Sequence, residues 1–155
     1  MTAVQDPVDR EVDILDLSAV ALEAEPVTPR RPGVLVALGD PQSRMDLALL
    51  LACEGFDVWT AGSGVEAITS YLEHAGSVDV LLIDAELPDL SGPAFIRRFK
   101  THFPGVPCVF RAGSSDVVSR QLAIAGVCVV PRTITPSMLV DRLREEIAFK
   151  EWMNA

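Results

Sequence analysis

Val80-Leu81-Leu82-Ile83-Asp84-Ala85-Glu86-Leu87-Pro88-Asp89-Leu90-Ser91-Gly92 is the stretch on which the fold turns. Its first four residues are apolar without alternation, and with Val78 and Asp79 in front of them they predict a strand over 78–83. A strand that is hydrophobic on consecutive residues has both faces buried, the condition of a parallel sheet covered by helices on either side. The run breaks at Asp84. In sheets of this kind ligands and chemistry collect outside the carboxyl ends of the strands, so a lone carboxylate at a strand exit points into the crevice they use. A carboxylate is a competent nucleophile toward phosphoryl groups; the alternative for Asp84 is an ordinary loop or helix-capping aspartate.

The same alternation extends in both directions. Upstream, Val34-Leu35-Val36-Ala37-Leu38 is another buried run that stops at Gly39, and Asp40-Pro41 has the form of an N-cap with proline at the first helical position. That helix is predicted to reach Gly55, a natural left-handed terminator. Val58-Trp59-Thr60 predicts a second strand, and the segment from Ser63 or Gly64 to His74 carries Val65, Ile68 and Leu72 at helical spacing. Downstream, helices are predicted over 93–103 and 115–125, strands over 106–110 and 127–130, and a last helix opened by Thr135-Pro136. Five strands alternating with five helices make an α/β, doubly wound five-stranded parallel sheet. The strand exits to inspect are Leu38-Gly39-Asp40, Asp84, Arg111-Ala112-Gly113 and Pro131-Arg132.

Composition removes other classes. The 155 residues carry a formal net charge of −9, which repels a phosphate backbone, so direct nucleic-acid binding is not expected. Apolar runs stay short of the roughly 20 residues a membrane span needs, and early acids at Asp6, Asp9 and Glu11 disfavour a secretory signal; a cytoplasmic location is expected. Cys53, Cys108 and Cys128 are odd in number and stand among apolar neighbours, as buried thiols do, and His74 and His102 lack metal-ligand spacing and read as solvated. Gly62-Ser63-Gly64 is too short for a phosphate-binding glycine loop and reads as a helix cap.

Composition also changes at Pro32-Gly33. Residues 1–32 hold seven acids against three arginines and end in a proline-rich run, Glu25 to Pro32, which predicts a disordered acidic tail and linker. Within it Val12 to Leu22 mixes acids with aliphatics and has the alternative of folding as a short helix on a partner. The domain is placed at 33–149, with 150–155 as a C-terminal end.

From about Gly33 to Phe149 the chain resembles the receiver domains of two-component response regulators. The stretch from Val80 to Gly92 carries the resemblance, matching that family's apolar strand, phosphoacceptor aspartate, Leu/Met-Pro-Asp and Gly. Asp40-Pro41 with Arg44, Ala61 to Ala67, Pro107, Ala125-Gly126 and Thr135-Pro136 support it. The resemblance implies a flavodoxin-like topology, with Asp84 accepting a phosphoryl group from a histidine kinase with the help of Mg²⁺.

The departures matter as much. Leu38 and Gly39 stand where the family has two metal-binding acids, leaving Asp40, Asp84 and Glu86 to hold Mg²⁺ weakly or not at all. Ala112 replaces the family's Thr or Ser, and Val129 its switching aromatic. Arg111 is expected to snorkel to the surface. Arg132 stands for the family's lysine; its guanidinium either closes directly onto Asp84 or remains a solvated loop arginine. The leading expectation is a stand-alone, atypical receiver, not an enzyme, that signals through protein contacts with a kinase, a downstream effector or a second copy. Its contact faces would be the fourth helix, fifth strand and fifth helix. A fully phosphorylatable Mg²⁺-dependent regulator and a small flavodoxin-like enzyme or nucleotide binder are the alternatives.

Overall fold

In a computed structural model that describes residues 30–112 and 117–154, strands and helices alternate from the first described element to the last. They are β1 (Gly33–Ala37), α1 (Pro41–Cys53), β2 (Asp57–Ala61), α2 (Gly64–His74), β3 (Val80–Asp84), α3 (Gly92–His102), β4 (Cys108–Ala112), α4 (Val117–Ile124), β5 (Cys128–Pro131) and α5 (Pro136–Met153). The strands form one sheet in the order β2-β1-β3-β4-β5, with every neighbouring pair parallel. The doubly wound α/β class is therefore as expected. Strand order reverses between β1 and β3, which puts the crevice of the fold at the carboxyl ends of those two strands.

The period of two along each strand divides the interior into two cores. Leu35, Ala37, Leu81, Ile83, Cys108 and Phe110 point to one side, where they meet Ala67 and Tyr71 of α2 and Phe95, Ile96 and Phe99 of α3. Val34, Val36, Val80, Leu82 and Val109 point to the other, against Leu47 and Leu51 of α1 and Leu139, Leu143 and Ile147 of α5. Both sides of β1 and β3 are thus buried, which is why their sequences show no alternation.

The helix starts follow their caps. Asp40, Ser63, Ser91 and Thr135 each sit in extended backbone and accept a hydrogen bond from the N–H three residues on. Ser63 thus caps α2, the role expected for Gly62-Ser63-Gly64. Gly55 closes α1 at φ +102, and Gly126 precedes β5 at φ +91, both in the region a side chain disfavours.

Several boundaries move. β3 starts at Val80 instead of Val78; Asp79, just before it, donates its N–H to the Gly33 carbonyl and accepts the Gly33 N–H on its carboxylate, both at 2.8 Å. β4 is displaced two residues on, to Cys108–Ala112, so Arg111 and Ala112 belong to the strand. Val106 is buried as a loop plug beside it. α5 runs to Met153, past the boundary expected at 149. Arg31, expected in a linker, lies against the end of α1: its guanidinium donates to the carbonyls of Ala52, Gly55 and Phe56, each at 3.0 Å. One side chain thus ties the entry to β1 to the last turn of α1 and to the loop that leaves it. The remaining expectations for the tail, with its segment from Val12 to Leu22, and for the start of the fourth helix lie outside the described residues.

Candidate functional site

Asp84 is the last residue of β3 and is 8% exposed. Its backbone is fixed from below by close packing: Gly92 N–H donates to the Ala85 carbonyl at 2.9 Å, and a Cβ on Gly92 would lie 2.2 Å from the Asp84 carbonyl oxygen. Only glycine lets α3 start this near the strand. The loop between them is held at its far end by Asp89, whose two carboxylate oxygens accept the N–H groups of Gly64 and Val65 at 2.8 and 2.9 Å. Those bonds, at the positive end of α2, hold the Asp89 carboxyl below its ordinary range. The Leu87-Pro88-Asp89 part of the motif is therefore a strap from β3 to α2, a role the sequence reading did not assign.

The Asp84 carboxylate meets two guanidiniums. Arg132, immediately after β5, places Nε 3.3 Å from Oδ1 and one terminal nitrogen 3.4 Å from Oδ2, the two-pronged pairing that its fork permits. Arg111, directly opposite Asp84 in the parallel register of β3 and β4, brings Nε to 3.7 Å from Oδ1. Of the two alternatives for Arg132, the pairing is the one observed. The expectation for Arg111 is corrected: its side chain is 17% exposed, its Nε is buried without a hydrogen-bond partner, and it faces Asp84 instead of snorkelling outward. The displaced β4 explains the error, since moving the strand two residues turns Arg111 from an exit residue into a paired one.

Around this trio a cleft of about 620 Å³ opens between Gly39, Asp40, Glu86 and Pro88. Asp40 spends Oδ2 on the Ser43 N–H at 2.8 Å, and its bonds with Ser43, side chain first and backbone second, keep it below the ordinary carboxylate range. Glu86 is exposed, Leu38 is buried hydrocarbon, and Gly39 offers no side chain. Arg44 of α1 donates to the Leu38 carbonyl at 2.8 Å, tying the end of β1 to the helix that follows.

Mg²⁺ demands near-ideal octahedral oxygen ligation at about 2.0–2.1 Å. Among the described residues no three His, Cys, Asp or Glu side chains gather as a metal-holding group, and Asp40, Asp84 and Glu86 line one cleft together with Arg111 and Arg132. Both oxygens of Asp84 are instead turned to fixed positive charges.

Beyond Arg132, Ala112 is buried and Val129 half-buried, and both line a cavity of about 300 Å³ against Ser119, Arg120 and Ala123 of α4. No hydroxyl and no ring stand at these two positions. The histidines and cysteines stay out of the site. His74 is half-buried, its ring stacked on Trp59 at 4.9 Å, and Cys53 is exposed, both against expectation; Cys108 and Cys128 are buried as expected.

The sequence profile of the response regulator receiver domain family matches residues 34–144, most of the chain. The protein belongs to that family. It is 29% identical over 114 residues to the sensor kinase CckA of Brucella abortus, covering 72% of this chain and 12% of that protein. It is 30% identical over 93 residues to the cell cycle transcriptional regulator CtrA of Caulobacter vibrioides, covering 60% of this chain and 39% of that one. Among solved structures, a receiver domain protein from Clostridium thermocellum superposes with a TM-score of 0.71 at 24% identity, over 78% of this chain and 98% of that one. The receiver domain of the hybrid histidine kinase CckA does so with a TM-score of 0.61 at 24% identity, over 74% and 98%. The flavodoxin-like receiver topology and a place in two-component signalling are thereby established, while the kinase and transcriptional activities belong to the longer relatives. Among the described residues, no helix is long and apolar enough to cross a membrane.

Proposed function

We propose that this receiver is an atypical member of its family, a protein-binding signalling module whose candidate phosphoacceptor, Asp84, is held by Arg111 and Arg132 where other members would hold a metal ion. The observation that carries this reading is the pair of guanidiniums on one buried carboxylate. A carboxylate so engaged is a poor nucleophile toward phosphohistidine, because its lone pairs are already directed at positive charge. Its signalling state is then set by an internal ion pair, and a partner that favours that state binds without prior phosphoryl transfer. The partner class is a signalling protein, either a histidine kinase or a downstream effector, and the role is non-enzymatic.

The decisive experiment is incubation with Mg²⁺ and acetyl phosphate, followed by intact-mass measurement. Substoichiometric phosphorylation that disappears in Asp84→Asn is expected. Rapid stoichiometric phosphorylation would return the protein to the ordinary, fully phosphorylatable class.

A further inference from the structure

On the side of the sheet that holds α2 and α3, a groove of about 400 Å³ runs between those helices, away from Asp84. Its α2 wall is formed by Val65, 69% exposed, Thr69 and half-buried Ile68, and Leu72, 61% exposed, continues the Val65–Ile68 stripe beyond the groove. Positions 65, 68 and 72 share one helical stripe, and seven residues of helix span about 10 Å. Leu90 and Phe95 form the floor.

The opposite wall differs in chemistry. Arg98 and His102, one turn apart on α3, line the groove and are exposed. α3 carries Arg97, Arg98, Lys100 and His102 and not one acid, in a chain whose net charge is −9. None of the nearby acids lines the groove: Asp89 is spent on the Gly64 and Val65 N–H groups, Glu66 accepts the Gly62 N–H, and Glu73 lines an adjoining cleft that shares Val65 and Thr69 with it. Lys100 is likewise committed, to the carbonyls of Pro104 and Val106.

We infer that this groove docks an acidic amphipathic helix of a partner protein, with aliphatic anchors at i, i+3 or i+4 and i+7 against Val65, Ile68 and Leu72 and carboxylates against Arg98 and His102. The spacing of the aliphatic stripe matches such anchors. Charge complementarity selects the sign: Arg98 and His102 line the groove and no acid does, so this basic edge both steers the encounter and fixes the orientation of the bound helix. The site is independent of Asp84 and does not rest on its chemistry.

The test titrates a capped synthetic peptide, with Leu on one helical stripe and Glu beside it, into the full chain and follows amide resonances. Shifts confined to residues 64–72 and 90–102 are expected. Affinity should fall about tenfold or more with Arg98→Glu, with Val65→Glu, and with a peptide in which Lys replaces every Glu. Arg98 and Val65 are exposed, so an unchanged circular dichroism spectrum shows that both variants are folded. Asp84→Asn should leave the affinity as it is. Equal binding of the Lys peptide, indifference to Arg98→Glu, or shifts elsewhere would overturn the inference. Groove resonances that move with protein concentration, or on removal of residues 1–29, would assign the groove to a second copy or to the chain's own acidic segment and overturn it equally.

Discussion

Replacing Asp84 with Asn and Arg132 with Ala, singly and together, measures the ion pair at the centre of the site. At 3.3 Å and an effective dielectric of about 20 the gross attraction is about 5 kcal/mol, but Arg132 is 38% exposed and partly screened by water. The 3.3 and 3.4 Å contacts are also longer than the roughly 2.7–2.9 Å of tight charge-assisted bonds. A net coupling of about 1–2 kcal/mol is therefore expected. The single changes should be unequal. Asp84→Asn strands Arg111 and Arg132 beside each other without a counter-charge and should cost about 2–4 kcal/mol, since removing one member of a buried pair leaves the other uncompensated. Arg132→Ala leaves Arg111 as counter-ion and should cost about 1 kcal/mol. Urea unfolding followed by tryptophan fluorescence gives all four free energies, and repeating the cycle near 1 M salt should shrink the coupling. Additivity within about 0.3–0.5 kcal/mol would refute the argument, and so would a stabilising Asp84→Asn.

Leu82 is fully buried in β3, so Leu82→Ala should lower unfolding free energy by about 2–5 kcal/mol in the same assay. Thiol labelling should separate the cysteines: exposed Cys53 reacts quickly in the native protein, whereas burial pushes the Cys108 thiol up to about 12 and leaves it unreactive at neutral pH until the chain unfolds. The Asp89 strap has a defined pH signature. Its folded carboxyl lies below the unfolded value, so its contribution is present above the unfolded pKa and disappears as pH falls through the folded one. Thermal melts from pH 6 downward should therefore show a smaller acid loss in Asp89→Asn than in wild type; equal losses would mean that the strap contributes nothing.

The fold was legible because β1 and β3 are buried on both sides and announce it in consecutive apolar residues, and because the starts of α1, α2, α3 and α5 each carry their own cap. Strand ends were less legible. Hydrophobicity reports burial, and Val78, Val106 and Val127 are buried without being paired in the ladder. The two-residue displacement of β4 that follows from this hid Arg111, whose register opposite Asp84 is a non-local fact. Arg31 was hidden for a similar reason: its neighbours Arg30 and Pro32 read as linker, while its partners are carbonyls some twenty residues away. At the site, Asp84 and Arg132 were visible as strand-exit residues of opposite charge. Asp40 was legible as a helix cap and is occupied as one, whereas the approach of Arg111 to Asp84 beside Arg132 was not legible.

Two guanidiniums face the carboxylate that a metal ion would need. A two-dimensional amide spectrum recorded with and without millimolar Mg²⁺ and beryllofluoride tests this arrangement most directly. The prediction is that resonances of residues 38–40, 84–86, 111–112 and 131–132 stay in place, and that they move when Arg111 and Arg132 are both replaced. Saturable Mg²⁺-dependent shifts at these residues in the wild-type protein would contradict it.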